Sequence, residues 1–346
     1  MMLKRSWIVF SLLLFLSACE QKPAQKKVFE LLDGSVTGIN FANQLEYDEY
    51  LNAYTYRNFY NGAGVAVGDL NNDGLQDLYF AGNLVDNKLY LNKGDFQFED
   101  ITITAGVTAS EVWSTGVSMA DVNGDGWLDI YVCKSGPLGG DNRRNSLYIN
   151  NGDLTFTDKA AAYGVDDLGL SNHAAFMDYD KDGDLDFYLL NNSTRSVGNY
   201  DLRKGQRNTP DPNGGNKLYR NDGGKFTDVT TEAGIYSRAI GYGLGVTVAD
   251  VNVDGWPDIF VSNDFFERDY LYINQKDGTF SEQLEQTLTE ISMGSMGADI
   301  ADLNADGLPE LYVTEMVPAT FDRIKTKSVF EDWDKYQSNI KRGYHH

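Results

Sequence analysis

The sequence is poor in several residue types on which many functional sites depend. Its 346 residues include two cysteines, three histidines and seven prolines. Lys and Arg number 29 against 51 Asp and Glu, so the formal net charge is −22. Because nucleic-acid binding relies on Lys and Arg to neutralise phosphate, this balance disfavours a nucleic-acid partner. A hydrophobic content of 42% and an aromatic content of 13% argue against disorder and allow a substantial core.

Sequence patterns that mark common enzyme classes are also missing. The chain has no G-x-S-x-G nucleophile turn, no H-E-x-x-H zinc motif and no phosphate-binding G-x-x-x-x-G-K-[ST] loop. Two of the three histidines are His345 and His346, the last residues of the chain. Cys133 is expected to be a buried small hydrophobe. The sequence therefore favours a binding protein over an enzyme, without excluding the latter.

The first 27 residues indicate export. Lys4 and Arg5 precede an apolar run, residues 7–16, that is too short to span a bilayer as a mature helix. The following Leu16-Ser-Ala-Cys19 resembles a bacterial lipobox, which implies that Cys19 is lipidated. A plain secretory signal is the alternative, and it leaves the cysteine unexplained. We therefore expect a signal peptide over residues 1–19, a tether over 20–27, and a folded part over 28–346 that a lipid anchors to the outer membrane at the cell surface.

One nine-residue pattern occurs five times and organises the remainder of the chain. Each copy has an oxygen-bearing side chain at positions 1, 3, 5 and 9 and glycine at position 6. Calcium binds six to eight hard oxygens, and glycine permits the sharp turn that aims them inward. The copies span residues 69–77, 121–129, 178–186, 250–258 and 302–310. The predicted ligands of up to five Ca²⁺ ions are Asp69, Asn71, Asp73, Asp77, Asp121, Asn123, Asp125, Asp129, Asp178, Asp180, Asp182, Asp186, Asp250, Asn252, Asp254, Asp258, Asp302, Asn304, Asp306 and Glu310.

These loops differ from EF-hand loops in the segment that comes after position 9. An EF-hand needs a bidentate Glu at position 12 on a helix, whereas position 12 here is apolar in every copy and lies in a β-rich run. We therefore expect each loop to lead into a strand. Ordinary turns rich in Asp, Asn and Gly are the alternative explanation of a single copy. Five copies at the same spacing make a metal-binding role much the stronger interpretation.

A second motif comes after four of the five loops. It reads Leu-Tyr-x-Asn, then a glycine turn, then Phe-x-Asp or Phe-x-Glu, and it begins at Leu89, Leu147, Leu218 and Leu271. With the Gly-rich strand before each loop and the strand after it, each unit has four short strands. The loops begin 52, 57, 72 and 52 residues apart. Such units predict the blades of a β-propeller, and a solenoid is the second choice.

The loops and the Leu-Tyr-x-Asn units together resemble the integrin-type FG-GAP/VCBS repeat propellers. The chain looks more closely similar to the bacterial lipoproteins of the ASPIC/UnbV and cartilage-acidic-protein group. This resemblance covers roughly Phe29 to the C-terminus. It implies an all-β, calcium-stabilised propeller of seven or eight four-stranded blades on the outer surface, where it binds glycans or proteins. Some members of the group stand beside outer-membrane glycan-uptake systems.

The chain departs from this family at its end. After the fifth loop and its strand there is no further Leu-Tyr-x-Asn copy, and Ser328-Val-Phe-Glu331 begins a predicted short helix that ends near Gly343. Five units are fewer than the family needs for closure, so we expect an N-terminal fragment. The alternative is a five-bladed ring closed by lead-in strands, expected at Val28–Leu32 and Ile39–Phe41.

Two irregularities in the repeats are candidate ligand contacts. His173 stands where the other four units have glycine, five residues before the loop, and would face a central channel, although a structural histidine is the commoner outcome. The insert at 191–216 carries Arg195, Arg203 and Arg207 and is either a binding loop or a solvated one. The sequence thus predicts a surface-anchored module that binds a glycan or protein. The alternative is a propeller-scaffold lyase, hydrolase or quinoprotein with its chemistry in the channel or in a missing domain.

Overall fold

The computed structural model describes residues 28–137, 142–193, 209–265, 267–292 and 294–316. This part of the chain is all-β, as expected, and consists of successive antiparallel sheets with a few one-turn helices. Four sheets have four strands and the fifth, within the described residues, has two. The predicted C-terminal helix after Ser328 lies outside the described residues. None of the helices in the described ranges is long and apolar enough to cross a membrane.

Each sheet corresponds to one repeat unit and is called a blade below. Blade 1 contains β1 (Val65–Gly68), β2 (Asp77–Phe80), β3 (Lys88–Asn92) and β4 (Phe98–Asp100). Blade 2 contains β5 (Trp113–Ala120), β6 (Asp129–Ser135), β7 (Ser146–Asn150) and β8 (Phe156–Asp158). Blade 3 contains β9 (Ser171–Met177), β10 (Asp186–Asn191), β11 (Lys217–Asn221) and β12 (Phe226–Asp228). Blade 4 contains β13 (Gly243–Ala249), β14 (Asp258–Asn263), β15 (Tyr270–Asn274) and β16 (Phe280–Glu282). Blade 5 contains β17 (Ser295–Ala301) and β18 (Glu310–Glu315).

The strands of each blade pair in the order in which the chain forms them. Every nine-residue loop joins the first strand to the second, which confirms that the loops lead into strands. The Leu-Tyr-x-Asn motif forms the third strand and Phe-x-Asp/Glu the fourth. The turns of α1 (Gly34–Thr37), α2 (Thr102–Ala105), α3 (Ala160–Tyr163) and α4 (Leu284–Thr287) lie outside the sheets.

The hydrophobic core lies between adjacent blades. Alternate residues of the strands point to opposite faces of a sheet, so each blade supplies apolar side chains to two neighbouring cores. Leu89 of blade 1 packs with Ile130 of blade 2, and Leu147 of blade 2 packs with Phe187 of blade 3. Tyr188 of blade 3 likewise packs with Tyr272 of blade 4, and their ring centroids lie 6.3 Å apart. The blades therefore stack face to face in a propeller-like succession.

The first strands of consecutive blades lie side by side at the inner edge. Gly64 donates from its backbone N–H to the carbonyl of Thr115 at 2.7 Å, and Thr115 Oγ1 donates to the carbonyl of Ser171 at the same distance. A Cβ on Gly116 would stand 2.4 Å from the carbonyl oxygen of Asn172, closer than any side chain can come. The glycines of the inner strands thus permit backbone to approach backbone.

The lead-in segment corrects one expectation from sequence. Neither predicted strand forms, and the described residues before Val65 contain α1 and a 3₁₀ turn at Arg57–Tyr60. Asp33 caps α1 through a hydrogen bond from Ser35 N at 2.8 Å. Because the described part of this segment lacks strands, the alternative prediction of a five-bladed ring closed by lead-in strands is wrong. The capped turn separates the two short apolar runs on which the strand prediction rested.

The lead-in segment crosses the blades instead of pairing with them. Tyr56 and Phe59 pack on Trp113 of blade 2, with ring centroids 4.9 and 5.5 Å from that of the tryptophan. Tyr56 Oη also donates to Ser135 Oγ at 2.9 Å. Asn58 accepts a hydrogen bond from Tyr242 at the start of blade 4. The segment thus bridges blades 2 and 4.

Candidate metal centres

All five loops share the same backbone turn. The glycine at position 6 has a φ between 85° and 99° in every copy, a region that favours glycine. Its N–H donates to the carboxylate of the first-position aspartate at 2.7 to 3.2 Å in all five. The predicted sharp turn at this glycine is therefore present, and it aims the first carboxylate toward the inside of the loop.

The carboxylate at position 9 is the most buried of the predicted ligands in the first four loops. Asp129 is fully buried and accepts two backbone hydrogen bonds, from Val122 N at 3.1 Å and from Asn150 N at 2.8 Å. Asp186 makes the same two contacts, to Tyr179 N and Asn221 N. This side chain therefore ties its own loop to the third strand of its blade. Each oxygen keeps a lone pair with which it can also bind a cation.

Positions 1, 3 and 5 satisfy one another in four of the loops. In the second loop Asn123 Nδ2 donates to Asp125 Oδ2 at 2.8 Å, and Asp121 Oδ1 accepts from Asp125 N at 3.1 Å. The first, fourth and fifth loops repeat both contacts. A half-turn of the asparagine amide would present Oδ1, the atom that a cation takes.

The third loop differs because an aspartate replaces this asparagine. Asp180 cannot donate to its neighbouring carboxylate, and buried oxygens of Asp178 and Asp180, Oδ1 in each case, have no hydrogen-bond partner. One ligand atom from each of Asp178, Asp180 and Asp186 lies within 4.8 Å of the others. Converging buried carboxylate oxygens without donors are the donor set that hard divalent cations prefer, so the residues present fit Ca²⁺.

Burial and mutual repulsion act on the protonation of these acids. Burial raises the pKa of Asp129 to about 6 and that of Asp186 to about 7. The hydrogen bonds from backbone N–H groups lower both pKa values and so offset part of this effect. The pKa of Asp180 is also raised, first by burial and then by the charge of Asp182. A bound cation would favour the ionised forms and reverse these shifts.

The structure also reveals a contact that the sequence analysis missed. In blades 2 to 4, the asparagine of Leu-Tyr-x-Asn donates from Nδ2 to the carbonyl at position 2 of the preceding blade's loop. Asn150 reaches Leu70, Asn221 reaches Val122 and Asn274 reaches Tyr179, at 2.8 to 2.9 Å. The first three loops are thereby fastened to the next blade. The identity of this asparagine in every copy was the signal that could have indicated the contact.

The other candidate residues are dispersed. His173 lies in β9 on the inner edge, its pKa is lowered by burial, and among the described residues no acid or hydroxyl is hydrogen-bonded to its ring. Cys133 is fully buried in the core between blades 2 and 3, as expected. Cys19, Arg195, Arg203 and Arg207 lie outside the described residues, so lipidation and the binding role of the insert stay predictions.

Comparison with known proteins agrees with the repeat pattern. The FG-GAP-like repeat family matches residues 69–132, 208–261 and 250–313. Cartilage acidic protein 1 of Xenopus tropicalis is 31% identical over 216 residues, which are 62% of this chain and 30% of the relative. Integrin alpha-8 of Gallus gallus is 33% identical over 107 residues, 27% of this chain and 10% of that protein. The chain thus spans less than a third of these relatives.

Among solved structures, an Agrocybe aegerita lectin described for its recognition of non-reducing terminal N-acetylglucosamine matches at 19% identity. The match covers 72% of this chain and 59% of the lectin chain, with a TM-score of 0.40. At this TM-score the likeness carries no argument about what this chain binds. The sequence matches have more weight: FG-GAP-like repeats match residues 69–132 and 208–313, and these findings support an FG-GAP repeat family.

Proposed function

We propose that the chain is a calcium-stabilised binding module for a glycan or protein ligand, held at the cell surface by a lipid on Cys19. The observation that carries the calcium proposal is the third loop. There, Asp178 and Asp180 hold buried oxygens without donors beside the buried carboxylate of Asp186. Leaving such oxygens unpartnered costs free energy that a cation would offset.

Calcium in these loops would be structural. The loops lie where the first strand of each blade turns into the second. The position-9 carboxylate also accepts a hydrogen bond from the third strand, and the carbonyl at position 2 accepts one from the asparagine of the next blade. Ions bound there would lock the succession of blades. The ligand of the module would then contact other surfaces, with the blades serving as a rigid support.

Thermal unfolding with calcium and with a chelator tests the calcium proposal. Binding to the folded state alone stabilises it by about 2.7 kcal/mol for each site at a calcium concentration 100 times the Kd. We expect the Tm to rise with added calcium and to fall with chelator, with magnesium at the same concentration as the control. Coincident melting curves with calcium and with chelator would overturn the proposal.

Two further measurements test the anchoring and the binding. Labelling with a radioactive fatty acid should mark the wild-type chain and not Cys19→Ala, and equal labelling of both would refute the anchor. A screen of the calcium-loaded chain against immobilised glycans and extracellular proteins should give ligands that chelator releases. A chain that retains no glycan or protein from either set contradicts the binding proposal.

A further inference from the structure

The cleft between blades 3 and 4 is built differently from the corresponding places between the earlier blades. It has a volume of about 610 Å³ and opens beside the third and fourth loops. Tyr179 and Arg220 of blade 3 line one wall, and Trp256 and Lys276 of blade 4 line the other. We call it the blade 3–4 cleft.

One substitution between repeats explains why this cleft is open. Leu154 and Gly278 occupy equivalent positions, four residues after the asparagine of the third strand, and both have positive φ, 63° and 83°. Leu154 packs into the core between blades 1 and 2. A Cβ at Gly278 would have no atom within 4 Å. The leucine that packs between blades 1 and 2 therefore has no counterpart between blades 3 and 4, and the space around Gly278 is open.

The walls of the cleft also carry polar side chains at a position where blades 1 and 2 have apolar ones. Arg220 stands in β11 where the equivalent residues of blades 1 and 2 are Leu91 and Ile149, both buried. Its guanidinium pairs with Asp222 through two hydrogen bonds of 3.0 and 3.1 Å. The exposed Glu232 lies on the same wall. Where the earlier blades place a buried apolar side chain, this wall offers hydrogen-bond donors and acceptors.

An indole ring forms part of the opposite wall. Trp256 is half-buried and lines the cleft, and Lys181 from the third loop places its Nζ 4.6 Å from the ring centroid. This cation holds the indole in place from the neighbouring blade. Trp127 is the equivalent residue of the second loop, but its ring faces the turn of its own blade, where a Cβ on Gly152 would lie 3.4 Å away. Trp256 is thus the indole available to a ligand in this cleft.

We propose that the blade 3–4 cleft binds a neutral pyranose residue, an inference that rests on the proposed binding function and gives it a site. A sugar ring has an apolar C–H face that stacks on an aromatic ring. It also has a rim of hydroxyls that both donate and accept, so it needs carboxylate acceptors and cationic donors together. Trp256 supplies the platform, and Glu232, Arg220 and Lys276 supply the mixed rim.

The charges of the cleft select a neutral sugar over an acidic one. Both cations are already paired, Arg220 with Asp222 and Lys276 with Asp254 at 3.2 Å. Besides Asp180, which is a predicted calcium ligand, three carboxylates line the cleft: Asp228, Glu232 and Asp277. A carboxylated or sulfated sugar would meet uncompensated negative charge, whereas hydroxyl groups can donate to it.

Titration of methyl glycosides of glucose, galactose, mannose and N-acetylglucosamine into the calcium-loaded chain tests the proposal. Saturation-transfer NMR and tryptophan fluorescence report binding. We expect at least one glycoside to bind, and Trp256→Ala to weaken it at least tenfold. Gly278→Leu should have the same effect, because a leucine side chain at this position would occupy the open space that lines the cleft. Trp127→Ala is the matched control and should leave the Kd unchanged.

The outcomes separate this proposal from the function on which it rests. Equal binding by wild type, Trp256→Ala and Gly278→Leu overturns the cleft and leaves the binding function standing. Tighter binding of methyl glucuronate than of every neutral glycoside also overturns the cleft. If no glycoside binds while the screen yields a calcium-dependent protein ligand, only the cleft is refuted. If neither glycoside, glycan nor protein is retained, both proposals fail. Should Trp256→Ala not fold, Gly278→Leu alone decides.

Discussion

Buried acids lie at both ends of the blades, but their surroundings differ between the two ends. At the loop end, every blade places an acid at position 9. In the third loop, one oxygen from each of Asp178, Asp180 and Asp186 lies within 4.8 Å of the others, close enough to share a cation. At the other end, before the third strand, three blades place asparagine and the fourth places Asp269. Asn145 accepts from Lys134 N at 2.7 Å, and Asp269 accepts from Asn263 N at the same distance. The backbone contact is the same although the side-chain charge differs.

The groups around Asp269 show how its charge is accommodated where the other blades have asparagine. Asn145 donates to Ser171 Oγ at 2.9 Å, whereas Asp269 accepts from Ser295 Oγ at 2.6 Å. Burial raises the pKa of Asp269 to about 7, and the charge of Glu315 adds to the shift. Acids at the loop end can be neutralised by a metal. Asp269, in contrast, is neutralised most simply by a proton, in which form it imitates asparagine.

Removing the position-9 carboxylate should have the largest effect. Asp129→Ala leaves the N–H groups of Val122 and Asn150 without their acceptor, at a cost of about 1–3 kcal/mol for each buried group. We expect a loss of roughly 2–6 kcal/mol in chelator, measured by urea unfolding. A larger loss in calcium would add the contribution of the ion.

A matched exchange at position 1 gives the control. Asp121→Asn keeps an acceptor for Gly126 N and should cost well under half as much in chelator. Equal losses for Asp121→Asn and Asp129→Ala would show that the two backbone hydrogen bonds of Asp129 do not account for its effect, and the distinction drawn between positions 1 and 9 would fail.

Replacing the acid at the opposite end should change the pH dependence of stability. The pKa of Asp269 is raised in the folded state, from 3.8 to about 7, so between these values the folded chain binds the extra proton. Its contribution therefore lowers stability as pH rises from about 4 to about 7, by up to about 1.4 kcal/mol per pH unit. Asp269→Asn should remove this slope and gain about 2–4 kcal/mol relative to wild type between pH 4 and pH 8.

Chemical unfolding in chelator across this pH range checks the expectation. The reciprocal variant Asn145→Asp is the control, because it places an acid at the equivalent position of blade 2. It should introduce a fall in stability with rising pH that wild type lacks at that site. Identical pH profiles for wild type and Asp269→Asn would show that the protonation of this carboxyl is not coupled to folding.

The difference between the two ends also explains what could be predicted from the sequence. The loops were visible because oxygen-bearing residues recur at the fixed local spacing that a calcium-binding loop requires, and because glycine at position 6 is favoured by a positive φ. Strand order was predictable from the same local repeats. The all-β class and the four-stranded units were therefore within reach of the sequence, and the structure confirms both.

Contacts between repeats could not be predicted in this way. The bond from Asn150 to Leu70 spans 80 residues, and the closure of the first interface by Leu154 depends on how two blades face each other. The lead-in strands were predicted wrongly because a short apolar run does not by itself specify a strand: Phe29 and Leu31 are exposed, and Phe41 stacks on Phe80 of blade 1. Such features depend on tertiary packing, which local patterns do not encode.

The smallest effect, and the one that most sharpens the comparison, should come from Asp180→Asn. This variant gives the third loop the asparagine of the other four, whose Nδ2 donates to the position-5 carboxylate at 2.8 to 3.1 Å. In chelator we expect a gain of about 1 kcal/mol, because a repulsive contact becomes a hydrogen bond. In calcium we expect a weaker ion affinity at this loop and hence a smaller rise in Tm.

Asn123→Asp should show the opposite signs in the second loop, because it removes the hydrogen bond to Asp125. If Asp180→Asn lowers stability in chelator, the carboxylates of the third loop do not destabilise the folded chain in the absence of a cation. The contrast with Asp269, which a proton neutralises, would then be wrong.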